Sequence, residues 1–115
     1  MKDYKFEFEI DGARYPLIFN LNVMEAIQER YNTIGNWGAL TDGKSGEVNV
    51  KALKFGLTEM INEAIDIENE NLAEKKPFLT EKQVGRIISK MGSEKMAEKL
   101  NTAIVEGTKS EEKNA

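Results

Sequence analysis

Apolar and polar residues alternate without a break near the N-terminus. Tyr4, Phe6, Phe8 and Ile10 are separated by Lys5, Glu7 and Glu9, the period-2 pattern of a half-buried strand. Asp11-Gly12 follows, a preferred pair for the two-residue hairpin turn in which both positions take positive φ. That turn predicts the register: Ile10 opposite Ala13, Glu9 opposite Arg14, Phe8 opposite Tyr15, Phe6 opposite Leu17 and Tyr4 opposite Phe19. The apolar face is then continuous, and Glu9 meets an opposite charge. Pro16 falls opposite Glu7 at a non-hydrogen-bonded pair, where its missing N–H is not needed. A hairpin alone is not stable in water, so helices or a second chain must cover this face.

After the hairpin the apolar period lengthens to that of a helix. Asn22 is the predicted N-cap of a first helix, with Glu25 at the capping-box spacing and Met24, Ile27 and Tyr31 as its buried stripe. Residues 32–36 end it. A short helical turn is predicted around 37–40, between Gly35 and a polar, glycine-rich loop at 41–46. A long helix is predicted from about Asn49 to Ile67, burying Leu53, Leu57, Met60, Ile61 and Ala64 with Phe55 on its flank. Lys75-Lys76-Pro77 breaks the chain. Thr80-Glu81-Lys82-Gln83 is a capping box before Val84, Ile87, Ile88 and Met91 at i, i+3, i+4, i+7. Gly92 stops that helix, Ser93 caps a last one carrying Met96, Leu100, Ala103 and Ile104, and Gly107 ends it. Residues 108–115 hold no large apolar side chain and read as a flexible tail. The expectation is one α+β domain over residues 1–107, mainly α, with an N-terminal hairpin, four to five helices and a disordered tail over 108–115.

The chain of 115 residues has no cysteine and no histidine. Disulfides and zinc–thiolate sites are excluded, and the commonest general base is missing. This argues against an enzyme, and the expectation is no catalytic residue, no cofactor and no metal site. The net charge of −4 lacks the basic surplus that phosphate neutralisation demands, so no nucleic-acid partner is expected. No apolar run is long enough to span a membrane, and the N-terminus lacks a signal-peptide core. A cytoplasmic location is the expectation.

Four stretches invite chemistry. Gly38 to Ser45 matches the phosphate-loop pattern G-x-x-x-x-G-K-S, but that mechanism needs a strand before the loop and a helix opening directly from it. Trp37 precedes it, and Gly46-Glu47 follows. Asp66, Glu68 and Glu70, with Glu59, Glu63 and Glu74 nearby, form an acidic stretch free of Lys and Arg. It reads as a solvated helix end, a weak divalent-cation site or a docking face for a basic partner; the ligand spacing of a calcium loop is absent. The two helices around Gly92-Ser93 have a helix-turn-helix outline. From Glu81 to Gly107 they carry five basic and four acidic residues, too balanced to hold a phosphate backbone. Tyr31, Ile34 and Trp37 cluster among glycines. Such aromatics anchor interfaces, but they are also ordinary core residues, and burial statistics favour the core.

The order of segments carries a resemblance. Asp11-Gly12-Ala13-Arg14-Tyr15-Pro16-Leu17, then 19–31, the stretch 53–60 and the stretch 79–88 resemble the successive segments of tail assembly chaperones from long-tailed bacteriophages and prophages. The likeness runs over roughly residues 4–106. It carries no catalytic signature, so no functional residue transfers by motif. It implies a non-enzymatic protein in the bacterial cytoplasm that binds the tape-measure protein, keeps it soluble and helps recruit tail-tube subunits. It also implies self-association and, in many members, a longer frameshifted form. Tyr31, Ile34, Trp37, Asp66, Glu68 and Glu70 are the candidate partner-binding residues. The alternatives are another small phage structural protein, such as a head–tail connector or tail terminator, and a DNA-binding regulator.

Overall fold

A computed structural model describes the backbone of residues 4–44 and 46–113 and the side chains of 6–44 and 46–106. Strands β1 (Tyr4–Ile10) and β2 (Ala13–Phe19) form an antiparallel hairpin, followed by helices α1 (Leu21–Tyr31), α2 (Ile34–Thr41), α3 (Val50–Asn69), α4 (Glu81–Met91) and α5 (Ser93–Lys113). The register is the predicted one throughout, from Tyr4 opposite Phe19 to Ile10 opposite Ala13. Asp11 and Gly12 take φ of 52° and 83°, as the tight turn requires. Phe8 stacks on Tyr15 with ring centroids 5.3 Å apart. Arg14 does not pair with Glu9 opposite it; its guanidinium reaches diagonally to Glu7 at 3.2 Å.

Burial of the hairpin departs from simple alternation at one end. Leu17 and Phe19 are fully buried on the core face, and so is Ile18 between them. Ile18 points to the opposite face, so β2 is covered on both sides where it enters α1. The side chains of Tyr4 and Lys5, across from it, lie outside the described residues.

The first helix starts two residues earlier than its sequence suggests. Asn20, not Asn22, is the N-cap: its Oδ1 accepts from the Val23 N–H at 3.2 Å. The buried stripe shifts with it to Val23 and Ile27, leaving Met24 and Tyr31 half-buried. Asn32 ends α1 at φ 75°, a conformation asparagine tolerates better than most residues. The predicted turn at 37–40 is a full helix that runs through both Gly35 and Gly38, because Thr33 caps it by accepting from Asn36 N–H at 2.9 Å.

α3 is the central element and packs against β2 and every other helix. Leu53, Leu57, Met60, Ile61 and Ala64 face the core as predicted. One contiguous cluster joins Leu53, Leu57, Met60 and Ile61 to Phe8, Leu17, Phe19, Trp37, Val84, Met96 and Leu100. α4 opens on the predicted reciprocal capping box, Gln83 N–H to Thr80 Oγ1 at 3.1 Å and Thr80 N–H to Gln83 Oε1 at 2.8 Å. Gly92 takes φ 99° between α4 and α5. α5 continues through Lys113, past Gly107 and across the stretch read as a tail. A single interior glycine costs a helix only about 1 kcal/mol, and Thr108 to Lys113 contains no proline. Side chains beyond 106 lie outside the described residues. Among the described residues, no helix is long and apolar enough to cross a membrane.

Candidate functional site

Beyond α3 the chain turns back and runs alongside the helix it has just left. Two asparagines of α3 hold it there. Asn69 donates from Nδ2 to the Lys76 carbonyl at 3.0 Å and accepts the Lys76 N–H on Oδ1 at 2.8 Å. Asn62 treats Leu79 in the same way, at 3.0 and 2.9 Å. Each carboxamide thus stands in for the backbone of a neighbouring strand. The spacing explains the fit: seven residues of helix climb about 10.5 Å, and three residues of extended chain span about 10 Å. Lys75 folds over the end of α3, donating from Nζ to the carbonyls of Asn69 and Leu72. That places a cation where the helix dipole favours one, offsetting the acids of the last turn.

Pro77 and Phe78 lie between the two clamped residues. Proline needs no partner for its nitrogen and stiffens the segment. Leu79 turns inward and packs on the core, so alternation along extended chain sends Phe78 outward. Phe78 is 54% exposed, on a backbone held at both ends.

Phe78 borders a groove of about 440 Å³ shared with Asn22 at the start of α1 and with Glu59, Asn62, Glu63 and Asp66 of α3. The α3 residues stand at i, i+3, i+4 and i+7, so they share one helix face. Glu63 Oε2 accepts from Asn20 Nδ2 at 2.8 Å and from Asn22 Nδ2 at 2.9 Å, tying the first turn of α1 to α3. This contact also explains the capping order. Asn20 uses its oxygen for the cap and its amide for Glu63, while Asn22 has only the second role. Burial pushes the Glu59 carboxyl above its ordinary value; Arg30 opposes this, and Glu81, Glu63 and Glu29 add to it. The Arg30 guanidinium lies over the Phe55 ring, 4.2 Å from its centre. Among the described residues, no cation lies within ion-pair distance of Glu59, Glu63 or Asp66.

The predicted acidic site is therefore divided. Asp66 lines the groove, but Glu68 stands roughly 200° round the helix from it and pairs with Lys76 at 3.0 Å. Glu70 lies beyond the end of α3 and is exposed outside the groove. Of the two readings of the aromatic cluster, the core one holds for Trp37, and the interface alternative drops out there. Trp37 is 2% exposed and donates from Nε1 to the Ala52 carbonyl at 2.8 Å; it is core and offers no partner a surface. Tyr31 meets Phe55 edge-on at 5.9 Å, and both Tyr31 and Ile34 are half-buried against the same cluster. Glu59, Asn62, Glu63 and Phe78 were missed as one group. The helical spacing of the three acids was visible in the sequence; the return of Phe78 to their side was not.

The phosphate-loop pattern has no cradle. Gly38 to Thr41 belongs to α2, so a helix precedes the loop where the mechanism needs a strand. The Lys44 N–H is taken by Asp42 Oδ1 at 2.8 Å, and Lys44 lines a cavity together with the acidic residues Asp42 and Glu106. Ser45 lies outside the described residues. Lys44→Ala should leave the fold unchanged, and isothermal calorimetry with ATP or GTP should give no saturable heat for either protein. Among the described residues, no three His, Cys, Asp or Glu side chains are placed to hold a metal ion. In comparisons with known proteins, no family model matches this chain, and neither a curated protein nor a solved structure matches it.

Proposed function

We propose that this chain is a non-enzymatic binding protein of phage tail assembly, a chaperone that holds the tape-measure protein soluble in the bacterial cytoplasm and supports assembly of the tail tube. The reading starts from the segment-by-segment resemblance to tail assembly chaperones. The observation that supports it is Phe78, a large apolar ring held in solvent beside an acidic groove. An exposed aromatic anchor on a fixed backbone suits protein binding. By mass action, a partner that covers exposed apolar helix faces lowers the concentration of aggregation-competent chains.

The test is co-expression with the long, helix-rich reading frame from the same phage gene cluster. That protein should move from the pellet to the soluble fraction and be retained with this chain in a pull-down. Equal insolubility with and without this chain, and no retained complex, would sink the assignment. Recovery of this chain in purified particles would instead favour a connector or terminator, because a chaperone leaves before the tail is finished.

A further inference from the structure

The groove beside Phe78 combines features that specify what fits it. Its acidic wall is a straight helix face, with Glu59, Glu63 and Asp66 stepping along about 10.5 Å of α3. Phe78 supplies an apolar knob at its edge. Its backbone is held by Asn62 and Asn69 on either side, so its position costs little further ordering on binding. The segment offers an extended peptide little to pair with: Asn62 and Asn69 already take the N–H and carbonyl of Leu79 and Lys76, and Pro77 has no N–H, so Phe78 alone keeps one to offer a strand. An extended ligand would leave most of its own backbone groups unpaired against this surface, whereas a helix satisfies its own.

We propose that this groove docks one amphipathic helix of a partner protein, presenting lysine or arginine to Glu59 and Asp66 and a leucine-sized side chain to Phe78. A second helix lying along α3 places cations at the same i, i+4, i+7 steps as the carboxylates. Charge complementarity sets the sign of the partner, and the ring sets the apolar residue between its cations. The inference takes from the reading above that the chain binds a protein; it adds where, and what chemistry is bound.

The probe is a short fluorescein-labelled peptide that forms a helix, with Lys and Leu on one face and Ala and Gln elsewhere, titrated by fluorescence anisotropy against the full chain. Two control peptides replace Lys by Glu or Leu by Ser. The wild-type chain should bind the Lys–Leu helix saturably and each control at least about tenfold more weakly, the scale of one lost anchor contact. Phe78→Ser should weaken binding by about tenfold at all salt concentrations. The double variant Glu59→Gln/Asp66→Asn should weaken it similarly at low salt and flatten the salt dependence, because screening acts on the charged share alone. Glu63 is left intact because it also ties α1 to α3. Thermal melts of both variants, unchanged within a few degrees, establish that the fold survives.

Absence of saturable binding, equal affinity for the Glu peptide, or undiminished affinity in Phe78→Ser would overturn the proposal. The two readings fail separately. If the tape-measure protein is solubilised equally well by Phe78→Ser, the groove is wrong and the chaperone stands. If the Lys–Leu helix binds as described but the tape-measure protein stays in the pellet, the groove stands and the chaperone assignment falls.

Discussion

Gly56→Ala should destabilise the domain by about 2 kcal/mol, although alanine is the better helix former. Propensity alone would favour the change by roughly 1 kcal/mol. A methyl group built at Gly56 would lie 2.3 Å from Cζ2 and 2.9 Å from Cε2 of Trp37, far inside contact distance. Trp37 cannot simply retreat. It is 2% exposed and its indole N–H is bonded to the Ala52 carbonyl. Overpacking of this kind costs typically about 1–3 kcal/mol, and displacing the indole forfeits a hydrogen bond worth about 1 kcal/mol. Urea unfolding should show a lower midpoint with an unchanged slope, followed by far-ultraviolet circular dichroism, which also reads variants that lack Trp37, the sole tryptophan. Trp37→Leu in the same background should restore part of the loss, because the new methyl then fills vacated space. A double-mutant cycle would read that coupling directly. A Gly56→Ala protein as stable as the wild type would mean that the indole is not seated against α3.

Asn69→Ala should cost about 1–3 kcal/mol, the sum of two lost hydrogen bonds at about 0.5–1.5 kcal/mol each. The side chain is largely enclosed, and its removal strands the N–H and carbonyl of Lys76 together. Asn69→Asp is the sharper variant. It keeps the size and the acceptor for the Lys76 N–H but turns a carboxylate oxygen toward the Lys76 carbonyl, so most of the loss should remain. Amide hydrogen exchange localises the effect. Lys76 and Leu79 should be protected in the wild type, and in Asn69→Ala protection at Lys76 should collapse while the interior amides of α3 keep theirs. Uniform loss across both segments would show that Asn69 supports the whole domain and not this one connection.

What could be read from the chain beforehand was local. The hairpin register followed from alternation and from Asp11-Gly12, the start of α4 from Thr80 and Gln83, and the core face of α3 from its apolar spacing. Each of these signals is satisfied within a few residues. Errors arose where the deciding partner is distant. Asn20 and Asn22 are equivalent as caps to local reasoning; the carboxylate of Glu63, more than forty residues away, engages both. Ile18 falls on the polar side of its strand and is nevertheless buried. α2 runs through two glycines with a local cap at Thr33, and the bond from Trp37 to the Ala52 carbonyl adds a tie that local reasoning does not see. The grouping of the acids depends on helical phase in the same way. Asp66, Glu68 and Glu70 are neighbours along the chain, but helical phase separates Glu68 from Asp66 and regroups Asp66 with Glu59 and Glu63. Phe78 joins that group only through the paired asparagines, which no periodicity announces.

The asparagine pair also divides the connection between α3 and α4 into parts with different evolutionary freedom. Because Asn69 is bonded to Lys76, residues 70–75 form a loop whose two ends are pinned to one another. Adding residues to such a loop costs only about 0.6 kcal/mol for each doubling of its length, and none of that change is transmitted past Lys76. Length and sequence can therefore drift in residues 70–74 while the ring of Phe78 keeps its place, whereas a single inserted residue between Lys76 and Leu79 would put one asparagine out of step with its partner.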